Sequence, residues 1–144
     1  MKNILLAALL LLMIPVYAKA QSADAIVGLW LNEEKDAKIQ IYRTGDKYYG
    51  KIVWIANAYE ADGKTPRKDS KNADASLRNR SIINMVILTD FEYDDGEWED
   101  GKIYDPKSGK TYSSKIKHKG NTLDIRGYVG ISMFGRTTVW TKAQ

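Results

Sequence analysis

Residues 104–114, YDPKSGKTYSS, decide how the chain folds. Their Gly109-Lys110-Thr111 has the ending of a phosphate-binding loop. Such a loop needs a glycine five residues before Gly109, so that backbone N–H groups can curl around phosphates without side-chain clash, and Tyr104 stands there instead. It should also lead into a long amphipathic helix. The residues after Thr111, YSSKIKHKGNTLDIRG, instead alternate with period two and then meet Gly-Asn. The stretch therefore reads as the tip of a β-hairpin, in which Pro106 pre-sets φ and Gly109 takes a conformation closed to bulkier residues.

The same logic repeats outward. AKIQIYRTGDKYYGKIVWI places Ile39 and Ile41 on one face and supplies Thr-Gly-Asp for a tight turn, and DDGEWED and KHKGNTLD follow suit. The pattern predicts about eight strands, at 26–31, 37–43, 47–55, 83–91, 97–105, 110–118, 121–129 and 134–142. A meander of that length closes on itself so that no edge is left unpaired, which predicts an all-β, up-and-down antiparallel barrel. Its interior is just large enough for side chains or one small ligand. One connection, 56–84, is long and polar, with a short helical possibility at 74–80. Loops of that kind are lids or mobile segments.

The chain opens MKNILLAALLLLMIPVYAKAQ: a charge, an apolar run and the small-residue exit Ala18-Lys19-Ala20, the pattern of a signal peptide over 1–20. Cleavage there leaves residues 21–144 as one domain with a single core, exported to the periplasm or the medium. No Cys is present, which argues against lipid anchoring and against disulfides, so stability rests on packing and sheet hydrogen bonds. The net charge of +4 falls, once Lys2 and Lys19 leave, to 20 basic against 18 acidic residues. With these interspersed, as in RKDSKNADASLRNR, nucleic acid is not an expected partner, and no later apolar segment is long enough to insert into a membrane.

Alternating strand direction puts the connections after the first, third, fifth and seventh strands on one rim. That rim collects Trp54 and Tyr59 where the long loop begins, Asp69, Arg78 and Arg80 within it, Tyr104 and Asp105 at the hairpin, and Arg126, Tyr128, Phe134 and Arg136 around the last crossing. Aromatic walls with a few convergent charges suit a small-molecule pocket, and Arg suits a carboxylate or phosphate. The bland alternative is that Asp105 or Asp69 pairs with Arg136, Arg78 or Arg126 to pin the loop, and that Trp54, Trp140 and Tyr128 serve packing alone. At the other end Trp30 and Trp140 meet if first and last strands pair, with Lys142 available to cover a ring.

Catalytic templates fit poorly. GISMF has Phe134 where a nucleophile elbow needs Gly, and His118, the sole histidine, sits in the outward-reading KIKHK. The acids from Asp90 to Asp100 miss calcium-loop spacing. No catalytic residue, cofactor or metal site is expected.

The pieces GLW, YYGKIVWI, KDSKN…LRNR, GKIYDPKSGKTYSSKI and LDIRGYVGISMFGRTTVW, running in order through the chain, resemble a family of exported bacterial proteins called domain of unknown function 2147. The chain departs from that family's pattern at Ala73, Ser81 and Asn84. The resemblance implies a lipocalin-like barrel and an envelope or secreted location. The family pattern falls on Asp69, Asn72, Arg78, Arg80, Tyr104, Asp105, Pro106, Gly109, Arg126, Gly127, Tyr128, Gly130, Gly135 and Arg136. It implies no particular activity, since a fold does not fix a function. The leading expectation is a binding protein for a small, partly apolar ligand, with arginines at the mouth available for an acidic group. The alternatives are a filled barrel that docks an envelope protein, and an enzyme with an Asp/Arg site at the mouth.

Overall fold

The computed structural model describes residues 22–144. The expected signal peptide, residues 1–20, lies outside them. Eight strands follow in order: β1 (Gly28–Leu31), β2 (Ala37–Thr44), β3 (Lys47–Ile55), β4 (Val86–Asp94), β5 (Glu97–Asp105), β6 (Lys110–Lys119), β7 (Thr122–Tyr128) and β8 (Arg136–Lys142). Each pairs antiparallel with the next and β8 returns to β1, so the barrel is closed. Turn chemistry drives this: Gly45 and Gly96 hold φ of 65° and 90°, which tight hairpins between right-twisted strands require. The seam is short. β1 and β8 align only Trp30 with Lys142 and Leu31 with Thr141, whereas β6 and β7 align seven pairs.

The strands predicted from 26, 83 and 134 start later, at Gly28, Val86 and Arg136. In the last case Ser132–Phe134 coil into a 3₁₀ turn, and the helical possibility at 74–80 is a 3₁₀ turn over Ala75–Leu77, capped by Asp74. Ile26 is not in a strand because residues 22–27 form a plug in the base of the barrel, opposite the long loop. Ile26 is fully buried, Trp30 Nε1 donates to its carbonyl oxygen at 2.8 Å, and Trp98 Nε1 donates to that of Ala23 at 2.9 Å. Tyr48 Oη donates to Asp24 Oδ1 at 2.8 Å. Burial and that acceptor push the Tyr48 hydroxyl up to about 12. The plug thus satisfies the polar tips of three buried aromatics, which a dry base would leave at a cost.

Above the plug the lower barrel is packed solid with Trp30, Tyr48, Phe91, Trp98, Ile116 and Leu123, each at most 1% exposed. His118 differs from its outward reading. It shares the inward parity of Ser114 and Ile116, is half-buried, and sets its ring edge-on to Trp30 with centroids 6.0 Å apart. Lys142 lies opposite Trp30 in the register, but the ring partner observed for Trp30 is His118.

A bulge in β3 also matters for the rim. Lys38 faces Trp54 while the adjacent Ile39 faces Ile52, so Val53 is the extra residue. The extra residue exchanges the two faces beyond it. Ile55 turns in, and Trp54, which strict alternation from Tyr48 would place inside, is 42% exposed under the Lys38 ammonium, 5.6 Å from the ring centroid.

Candidate functional site

The upper half of the barrel is not filled. A cavity of about 830 Å³ opens where the connections after β1, β3, β5 and β7 converge. Its walls come from inward strand positions: Ile39, Ile52, Ile55, Ile87, Ile103 and Ile125, with Trp140 below. Glycine helps to keep it open, since Gly127 lines it where a side chain would project. The mouth is charged, with Glu33, Glu34, Asp36, Glu60, Asp105, Arg67, Lys68, Lys71, Lys107 and Arg136 around the rim.

Residues 56–85 fold over this mouth as an ordered lid. The segment doubles back on itself through bridges between Tyr59 and Pro66 and between Lys68 and Ser81. Its clasp is Asp69, which is fully buried. Tyr104 Oη on β5 donates to Asp69 Oδ1 at 2.5 Å, while Asn72 Nδ2 and Arg80 Nε each donate to Oδ2 at 2.8 Å. Arg80 also lies over the Tyr104 ring, 5.7 Å from its centroid. Burial would raise the Asp69 carboxyl, but the hydrogen bonds and the Arg80 charge outweigh it and hold its pKa below the ordinary value. The Tyr104 hydroxyl moves the other way, to about 12, through burial and its bond to Asp69.

A second tie crosses the opening. Lys107 Nζ, on the β5–β6 turn, contacts Glu34 and, at 2.7 Å, Asp36 on the β1–β2 connection. Those connections lie half a circumference apart in an eight-stranded barrel, so the pair spans the mouth.

Of the residues singled out in the sequence, Tyr104, Asp105, Tyr128, Phe134 and Arg136 line the cavity together. Asp69 and Arg80 form the clasp behind it, and Arg78 Nε binds the carbonyl oxygen of Asn72 at 2.7 Å within the lid. Arg126 staples the β7–β8 connection, reaching the carbonyl oxygens of Ser132 at 2.5 Å and Met133 at 3.2 Å and Thr137 Oγ1 at 2.8 Å. Trp54 and Tyr59 lie outside the lining, Tyr59 being 54% exposed. Asp105 closes its own turn, accepting from Ser108 Oγ at 2.7 Å. Sequence reasoning did not single out Arg67, Lys68 and Lys71 on the lid, nor the isoleucine walls as cavity lining. Period-two parity carried the signal for the walls, but nothing in RKDSK marks which of the cations beside Asp69 reach the cavity.

A closed eight-stranded meander with a lidded, aliphatic cavity at one end is a lipocalin-like barrel. The chain belongs to the family described as "Uncharacterized protein conserved in bacteria (DUF2147)", whose model matches residues 28–142. It is similar to a solved structure titled "Protein HP1028 from the human pathogen Helicobacter pylori belongs to the lipocalin family", with a TM-score of 0.71, 25% identity and 82% of each chain covered. Among curated proteins none matches the chain.

Proposed function

We propose that this protein is an exported carrier or sensor that binds a small, partly apolar molecule bearing an acidic group. The observation that carries this reading is the cavity of about 830 Å³, aliphatic within and charged at the rim. Its size falls within the range of sites that enclose small molecules. The acidic group would meet Lys68 and Lys71 on the lid and Arg136 facing them, because Arg78, Arg80 and Arg126 are committed to the backbone and to Asp69. Export rests on the charge, apolar run and small-residue exit of residues 1–20.

An enzyme with an acid at the mouth would need a carboxylate held above its ordinary pKa. Burial pushes Asp36 and Asp69 up, but hydrogen bonds and the charges of Lys107 and Arg80 bring both below the ordinary value. The docking alternative started from a filled barrel, and the open cavity favours a ligand instead.

The test is native mass spectrometry of the protein purified from its own envelope or medium. A bound mass that disappears in Thr138→Trp, a substitution that projects an indole into the cavity, is the expected result. Protein free of any bound mass, with no uptake of fluorescent single-chain amphiphiles, would remove the proposal.

A further inference from the structure

We propose that the β7–β8 connection is an adsorbing tip that docks the mouth of the barrel onto an anionic lipid surface. Four large apolar side chains stand clear of the body within six residues: Val129 is 76% exposed, Ile131 57%, Met133 72% and Phe134 77%. This is not loose chain. Arg126 fixes the connection through Ser132, Met133 and Thr137, so the apolar groups are held outward by a built support. Exposing them in water without a partner is unfavourable, which marks the patch as an interaction site.

Charge and area select the occupant. From Ile125 to the end of the chain there is no acid, while Arg126, Arg136 and Lys142 are basic. The Arg136 side chain is 81% exposed, with Glu33 as its acidic neighbour at 3.8 Å. Across the mouth the lid adds Arg67, Lys68 and Lys71. The rim acids lie mainly on the other two connections, where Lys107 already holds Glu34 and Asp36. Four apolar side chains on one six-residue connection are few beside the roughly 20–30 residues, or ~800 Å², that each partner of a stable protein interface contributes. A lipid surface asks for no such area, because each inserted side chain contributes separately and flanking cations add attraction to anionic headgroups. The mode is adsorption by a loop, with no segment crossing the bilayer. Phe134 and Val129 also line the cavity, so the tip borders its mouth.

The test is co-sedimentation of the mature protein with vesicles of phosphatidylcholine alone and of phosphatidylcholine mixed with phosphatidylglycerol. Binding to the mixed vesicles is expected, with a partition coefficient at least tenfold lower for the double variant Ile131→Ser/Met133→Ser and roughly fivefold lower for Arg136→Gln. Neither Ile131 nor Met133 lines the cavity, and circular dichroism confirms that the variant is folded. No sedimentation with mixed vesicles overturns the proposal, as does undiminished sedimentation of the folded double variant. Equal binding to both vesicle types overturns its electrostatic part. A dimer that the double variant abolishes overturns it by assigning the tip to a second copy of the chain.

Discussion

Gly109, at the tip of the β5–β6 hairpin, lies so close to Lys71 of the lid that a β-carbon on the glycine would overlap the Lys71 carbonyl oxygen. The glycine also holds φ at 75°, so two independent constraints exclude any side chain. Gly109→Ala is expected to cost about 1–2 kcal/mol and to lift the lid from the hairpin. Urea unfolding reads the first effect. Faster limited proteolysis within residues 56–85 reads the second, and an unchanged cleavage rate would show that this contact does not hold the lid.

Asp69 gathers donors from Tyr104, Asn72 and Arg80, all of which lose their acceptor in Asp69→Ala. The expected loss is about 2–3 kcal/mol, below that of a fully enclosed pair because the Arg80 side chain is still 39% exposed. Its pKa is depressed below the ordinary 3.8, so its contribution is fully present above that value and disappears as pH falls through the folded value. Acid titration of stability should therefore be shallower below about pH 4 in Asp69→Ala than in the parent.

Tyr48 and Tyr104 have the opposite sign. Both hydroxyls are raised from 10 to about 12, one donating to Asp24 in the plug and the other to Asp69 in the lid. Their stabilisation is complete below pH 10 and is lost as pH climbs towards 12. Ultraviolet titration should show Tyr48 and Tyr104 ionising late and together with unfolding. The Tyr48→Phe/Tyr104→Phe double variant should lose most of that alkaline transition.

Lys107 ties across the mouth through groups that remain largely in water, with the Lys107 and Glu34 side chains 59% and 58% exposed. Lys107→Met is expected to change stability by less than about 1 kcal/mol. It should nevertheless speed entry and exit of the proposed ligand, and added salt should speed exchange in the parent but not in the variant. Stopped-flow exchange of a fluorescent amphiphile measures this. Identical rates in the two proteins would mean that ligands pass beside the tie.

The barrel was legible because alternation and turn residues are local properties: TGD, DDGE and KGN each announce a hairpin without knowledge of the rest. The rim followed from strand direction alone. Trp54 was not legible, because one extra residue at Val53 exchanges the faces of the strand end, and that extra residue shows only against its partner Lys38. The plug was hidden for a related reason. ADAIVG has little turn character of its own and is placed by the indoles of Trp30 and Trp98, the second 75 residues from the carbonyl that it holds. The arginines were visible as a group, but which ones staple backbone and which face the cavity depends on long-range carbonyl positions. His118 was misread because the charged neighbours Lys117 and Lys119 dominate its local pattern while its own parity points inward.

The two-pair junction of β1 with β8 brings together the most distant parts of the described chain for the least hydrogen bonding of any neighbouring strands. Closure entropy is largest there and the enthalpic return smallest, so this junction is expected to form last during refolding and to fray first under stress. Until it shuts, β1 and β8 each present a bare ladder of amide groups to other nascent molecules. The hazard of misassembly is therefore concentrated in that brief window and at those two strands.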